Sequence, residues 1–238
     1  MKNLVICLLA FALCTVAVLD TREPQLAVNV AKDVLPSVVE ITVMKPVTFT
    51  FRDTTIKKWI PDGSGSGVIV GNGQYVATCY HVVKNAERIL LRIQDEVFSY
   101  DATEVITRPE ADLAILRIES TRIFKAADMS MRNLKIGERI YCVGNGFGKG
   151  SAFSEGLISR TYAEQYDSFQ HTAVANLGNS GGGVFDTDGK LIGITWGIYS
   201  INTPPSYLGM SFAFPISRVN ALLPEADKTW QFINTPAK

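Results

Sequence analysis

Histidine is the scarcest reactive side chain in this sequence: 238 residues carry only His81 and His171. A metal centre built from clustered histidine and cysteine is therefore not expected, and neither is any other cofactor. Cysteine is nearly as sparse. Of four, Cys7 and Cys14 sit in the apolar N-terminal stretch, which leaves Cys79 and Cys142 for the folded part. Two cysteines do not make the disulfide framework of a small secreted domain, so two buried free thiols are expected. Neither sign of charge is in excess, with 23 Lys and Arg against 23 Asp and Glu. Without a clustered basic surplus, nucleic acid is not an expected partner. No hydrophobic run reaches the roughly 20 residues of a bilayer-spanning helix. Low-complexity sequence is missing too.

The nearest thing to a membrane span is residues 4–19, uncharged and almost wholly apolar. Lys2 precedes them, and Thr15-Val16-Ala17 offers a small-x-small cleavage site. Residues 1–19 thus read as a signal peptide, or as an anchor attaching the chain to a membrane through 4–19 if uncleaved. In both cases the folded part is expected to be secreted or periplasmic.

Beyond a short helix at 26–35, ending before Pro36, the chain reads as strands. Apolar or alternating segments occur at 38–43, 48–51, 67–70, 74–78, 88–93, 97–105 and 113–118. A second set covers 138–143, 151–160, 183–185, 190–196 and 210–214. Turn sequences such as Gly71-Asn72-Gly73 and Asp186-Thr187-Asp188-Gly189 separate them. Short strands with turns between them predict an all-β protein of two β-barrels, at 20–125 and 126–238, closed by a short helix near 217–223 and a polar tail.

The pentad Gly178-Asn179-Ser180-Gly181-Gly182 sets one serine among glycines, a composition that a core strand would not use. Small neighbours let a carbonyl approach a serine nucleophile, and free backbone N–H groups can face a developing oxyanion. The chemistry also needs a base and a carboxylate to orient it. The base must be His81, beside apolar residues directly after a strand, or His171, in a polar stretch. Both precede the serine. That order, with a strand-like segment after the serine, excludes the nucleophile elbow of α/β-hydrolases. Asp112, at the entrance to an apolar strand, is the best-placed acid; Asp95 and Asp101 are rivals in more polar settings.

Taken in order, these segments resemble the serine proteases of the trypsin fold, Deg/HtrA type. The resemblance rests on Gly65-Ser66-Gly67, on Thr78-Cys79-Tyr80-His81-Val82-Val83, and on Asp112-Leu113-Ala114-Ile115-Leu116. Gly144-Asn145-Gly146-Phe147-Gly148, the stretch 169–184 and Ser211-Phe212-Ala213-Phe214-Pro215 complete it, from about residue 26 to 222. It implies two six-stranded antiparallel barrels and an endopeptidase acting on protein or peptide substrates. It also implies His81 as base, Asp112 as orienting carboxylate, Ser180 as nucleophile, and the N–H groups of Gly178 and Ser180 as oxyanion hole. Asn179 stands where digestive relatives carry an aspartate that pairs with a new N-terminus, so that activation is not expected. Leu177 and Gly183 replace prolines of the family, which frees the loop beside the nucleophile. A PDZ segment after residue 222 is not expected. Trimer-forming N-terminal aromatics are missing from residues 20–37, so the sequence gives no ground for a trimer.

For the substrate pocket, the resemblance points to Val174, Ala175 and Asn176, then to Thr195-Trp196-Gly197, then to Met210-Ser211-Phe212, with a rim at 199–208. With Val174 rather than an acid at the base, small to medium apolar P1 side chains are expected.

Overall fold

The structure, a computed structural model, describes residues 22–52, 54–94, 96–163, 167–198 and 209–234. The apolar segment 4–19, Asp95 and the pocket rim at 199–208 lie outside them. Among the described residues no helix is long and apolar enough to cross a membrane.

Helix α1 (Arg22–Val34) and a 3₁₀ turn at Leu35–Ser37 lead into the first barrel. Its strands are β1 (Val38–Phe51), β2 (Thr54–Val70), β3 (Tyr75–Cys79), β4 (Arg88–Ile93), β5 (Ser99–Arg108) and β6 (Leu113–Ile118), with the single-turn helix α2 (Tyr80–Val83) after β3. They close in the order β1-β2-β3-β6-β5-β4, each pair antiparallel. The second barrel uses β7 (Arg139–Gly144), β8 (Ala152–Ala163), β9 (Ser168–His171), β10 (Gly183–Asp186), β11 (Leu191–Ile198) and β12 (Ser211–Pro215), and closes as β10-β11-β12-β9-β8-β7. Helix α3 (Ile216–Asn234) follows.

Three apolar clusters explain the sequence pattern. Val39, Ile41, Ile69, Val76, Leu91, Ala114 and Leu116 fill the first barrel. Ile140, Cys142, Phe169, Val184, Ile192 and Ala213 fill the second. Their strand neighbours point the other way, because side chains alternate along a strand. Val68, Tyr75, Ala77, Leu113, Ile115, Tyr141, Val143, Phe185 and Phe214 therefore form a third cluster, with Val30 and Val34 of α1 and Val219 of α3. Strands at this seam are buried on both faces. That is why β6 and β7 read as nearly unbroken apolar runs rather than alternating ones.

Three local expectations are corrected. The separate strands expected at 38–43 and 48–51 are one, β1, paired along its length with β2 from Phe51↔Thr54 to Val38↔Val68. Pro61 within this pairing sits where the register shifts at Val43/Met44. A strand at 168–171, too short and polar to stand out, pairs with β8 and β12. The C-terminal helix is not short. It runs on through Pro224, with Leu222, Leu223, Ala226 and Trp230 packed against the seam.

His171, the second base candidate, is fully buried on β9 beside Phe169, in the second barrel. Neither ring nitrogen meets a hydrogen-bond partner at good geometry. Burial pushes its pKa from 6.5 down to about 4, with the Ala173 backbone pulling weakly the other way. The unfolded chain therefore takes up this proton first as pH falls. The associated stability is intact above about 6.5 and is lost progressively toward pH 4, a difference of about 3 kcal/mol. Urea midpoints measured from pH 7 to pH 4 should fall less steeply in His171→Leu than in the parent; equal slopes would show that His171 does not titrate on unfolding.

Candidate active site

The seam brings together residues that are far apart in sequence. A 3₁₀ turn at Pro109–Ala111 ends in Asp112, which adopts a left-handed conformation (φ 50°) before β6 starts. Aspartate tolerates that backbone better than most residues. The turn lays Asp112 against α2: its carbonyl accepts the Tyr80 N–H at 3.0 Å and its Oδ1 accepts the His81 N–H at 2.8 Å. Its Oδ2 lies 2.7 Å from His81 Nδ1. An ionised carboxylate only accepts, so Nδ1 carries the proton and Nε2 keeps a free lone pair. Asp112 is buried, while the His81 side chain is half exposed.

Ser180 enters from the second barrel between β9 and β10, in a turn shaped by glycines. Gly178 and Gly181 have φ of 96° and 87°, and a side chain on either would strike the backbone oxygen of Asn145 or Ser66. The Ser180 hydroxyl donates to the Trp196 carbonyl at 3.3 Å and makes no hydrogen bond to His81. The His81–Asp112 pair is thus formed, while the serine hydroxyl is turned toward Trp196. Asp101, one of the rival acids, is instead paired with Arg88 on the first barrel's surface, which lowers its pKa.

A cavity of about 310 Å³ opens beside Ser180, lined by His81, Ala175, Asn176, Leu177, Thr195, Trp196, Gly197 and Ile198. No side chain of formal charge lines it apart from His81 when protonated. Met210, Ser211 and Phe212 do not line it; of the other pocket residues expected, Ala175, Asn176, Thr195, Trp196 and Gly197 are there. Val174 is the exception: it is exposed and holds Ser154 Oγ through its carbonyl. Ala173 and Ala175 on either side of it are buried in the barrel, and Val174 is not. Leu177 and Ile198, missed as lining residues, follow the nucleophile loop and β11 into the pocket.

The donor atoms of Cys79, His81 and Asp112 lie within 4.8 Å of one another, the group of ligand type found among the described residues. Burial and the Asp112 charge raise the Cys79 thiol well above its usual pKa, and its S–H donates to the Thr195 carbonyl. The trio is better described as an acid–base pair over a buried thiol than as a metal centre. Cys142, also free and buried, contacts Thr195 Oγ1 at 3.3 Å.

The loop beside Ser180 is held from three sides even though leucine replaces proline at 177. Phe147 N–H donates to the Leu177 carbonyl at 2.6 Å, and Asn179 N–H to the Asn176 carbonyl at 3.0 Å. The buried Ser66 hydroxyl donates to the Gly178 carbonyl and accepts the Asn145 N–H, both at 2.7 Å. With the carbonyls of 177 and 178 drawn away, the N–H groups of Gly178 and Ser180 have no partner among the described residues. Ser66 received no role from sequence reasoning beyond its place in the Gly65-Ser66-Gly67 motif. Removing its hydroxyl strands the N–H of buried Asn145, worth about 1–3 kcal/mol when unpaired, and frees the partly buried Gly178 carbonyl. Ser66→Ala should therefore lower unfolding free energy by at least about 1 kcal/mol; an unchanged denaturation midpoint would mean that other bonds fix the loop.

Comparison with known proteins identifies the family and the fold. The trypsin-like peptidase domain family matches residues 65–194. A probable periplasmic serine endoprotease, DegP-like, of Pseudomonas fulva is 34% identical over 158 residues, covering 64% of this chain and 32% of its own length. The chloroplastic protease Do-like 1 of Arabidopsis thaliana is 30% identical over 230 residues, covering 90% of this chain and 50% of its own. The chain thus spans between about a third and a half of these relatives. An HtrA-type protease solved with a decapeptide superposes with a TM-score of 0.73 at 27% identity, over 85% of this chain and 67% of that one. The serine endoprotease of Yersinia pestis gives 0.68 at 26%, over 85% and 66%. On its sequence, its paired barrels and the residues gathered at their seam, the chain belongs to the trypsin-like peptidase domain family.

Proposed function

We propose that this protein is a serine endopeptidase that cleaves extracytoplasmic proteins through an acyl-enzyme intermediate. The observation that carries the reading is the Asp112-held imidazole of His81, with its basic nitrogen free, beside a serine flanked by two unengaged N–H groups. In this reading the Ser180 hydroxyl rotates from the Trp196 carbonyl toward His81 Nε2 when substrate binds. Oγ attacks the scissile carbonyl carbon as Nε2 takes its proton, and Asp112 stabilises the resulting imidazolium. The negative oxygen of the tetrahedral intermediate is met by the N–H groups of Gly178 and Ser180, each such donor being worth about 2.7–4 kcal/mol at the transition state. Collapse expels the amine with the proton from His81, and water then repeats the sequence in reverse on the acyl-enzyme.

The decapeptide named with the HtrA-type neighbour supports a peptide substrate, and the periplasmic relatives support a site of action outside the cytoplasm. An uncharged pocket of about 310 Å³ favours small to medium apolar P1 residues. One observation favours a second reading, a latent form that needs an activating partner: the Ser180 hydroxyl is bound to Trp196 rather than to His81.

Unfolded casein should be cleaved by the parent and left intact by Ser180→Ala. Failure of a folded parent to cleave casein would favour the latent reading. Peptide libraries should give kcat/KM values highest for Ala, Val or Leu at P1, and a Lys or Arg optimum would refute the apolar pocket. A side chain added at Gly197 meets nothing within 4 Å, so Gly197→Val should fold normally and narrow the pocket. Its Leu-to-Ala ratio of kcat/KM should drop by roughly tenfold or more.

A further inference from the structure

The β1–β2 hairpin carries, toward its tip, apolar side chains that the described chain leaves uncovered: Phe49, Phe51 and Ile56 are 53%, 75% and 50% exposed. Residues opposite one another in an antiparallel pair point to the same side. Phe49↔Ile56, Phe51↔Thr54 and Val47↔Lys58 therefore share one face, while Thr48↔Lys57, Thr50↔Thr55 and Pro46↔Trp59 share the other. The second face is served within the molecule, since Lys57 and Arg88 stack on the Trp59 ring. The first is an apolar strip with Lys58 at one end and Arg52, stacked on the Phe51 ring, at the other. Across residues 45–62 the charges are Lys45, Arg52, Lys57 and Lys58 against Asp53 and Asp62, and Lys45 engages Asp62. A chain of zero formal charge thus has a local cationic surplus around its exposed aromatics.

We propose that this face docks on an anionic lipid surface. Phe49, Phe51 and Ile56 sit at the boundary between headgroups and acyl chains, and Arg52 and Lys58 reach the lipid phosphates from either end. Aromatic rings bracketed by long cationic side chains suit that boundary, where the stems snorkel and the charges stay in the headgroup layer. Each cation near such a surface contributes roughly a fivefold gain in binding. A second copy of the chain fits less well. Three exposed side chains on a two-stranded ribbon fall far below the roughly 800 Å² per partner of a stable interface, and like-charged ribbons repel. The proposal does not depend on the catalytic reading.

The test floats the full chain with vesicles of phosphatidylcholine alone and of phosphatidylcholine mixed with phosphatidylglycerol. The mixed vesicles should bind roughly tenfold tighter or more. Phe49→Ser with Phe51→Ser, all at exposed positions, should lose roughly tenfold of that binding, and Arg52→Glu with Lys58→Glu should abolish the lipid preference. Because residues 4–19 are apolar as well, Phe51→Trp supplies a local readout: its added emission should be quenched by brominated acyl chains. An unquenched Phe51→Trp, or a phenylalanine pair whose loss leaves binding unchanged, would overturn the proposal. So would self-association, or retention of unfolded casein, that the phenylalanine pair abolishes while vesicle binding persists; the face would then belong to a second copy or to a polypeptide.

Discussion

The packing of one closed barrel against another is the constraint on which everything else in this structure depends. Each barrel has its own filled interior, yet β3, β6, β7 and β10 also present large apolar side chains outward. Tyr75, Leu113, Ile115, Tyr141, Phe185 and Phe214 are all nearly inaccessible to solvent. Exposure of any of these costs about 1.5–3 kcal/mol, so the barrels are fixed face to face. Groups assembled across a rigid seam need little ordering when substrate arrives, and ordering is where catalytic geometry is commonly lost.

Polar groups at the seam use that rigidity. Ser66 belongs to the first barrel but positions the second barrel's nucleophile loop, by bonds to Gly178 and Asn145 and by its N–H to the Ser180 carbonyl at 2.9 Å. Its own carbonyl is held by the Thr78 hydroxyl. Cys79, two residues before His81, reaches the Thr195 carbonyl on the far side. The chemistry sits where these cross-links are densest. The Ser180 hydroxyl is held more loosely, by a 3.3 Å bond to the Trp196 carbonyl.

Much of this was legible in the sequence, for identifiable reasons. Scarcity of histidine reduced the base to two candidates, and the order of histidine, aspartate and serine removed competing folds. Barrel strands were readable where burial is two-sided or turns carry glycine. What escaped detection was tertiary in origin. The four residues of β9 acquire strand structure only from β8 and β12. The β1–β2 ribbon reads as separate short segments at 38–43 and 48–51, and only the pairing with β2 along its whole length makes them one strand. Val174 was placed in the pocket by resemblance, whereas it lies exposed between two buried alanines. Ser66 sits in a glycine-rich motif whose composition says nothing of a contact 112 residues away.

The central claim is that Ser180 is an activated nucleophile, and covalent labelling tests it most directly. The chain and its Ser180→Ala variant would be treated with a fluorophosphonate and weighed intact. The account predicts one adduct, on Ser180, missing from the variant and suppressed when Asp112→Asn removes the charge that orients His81. A folded parent that takes up no adduct, or takes it up equally in Ser180→Ala, would contradict it.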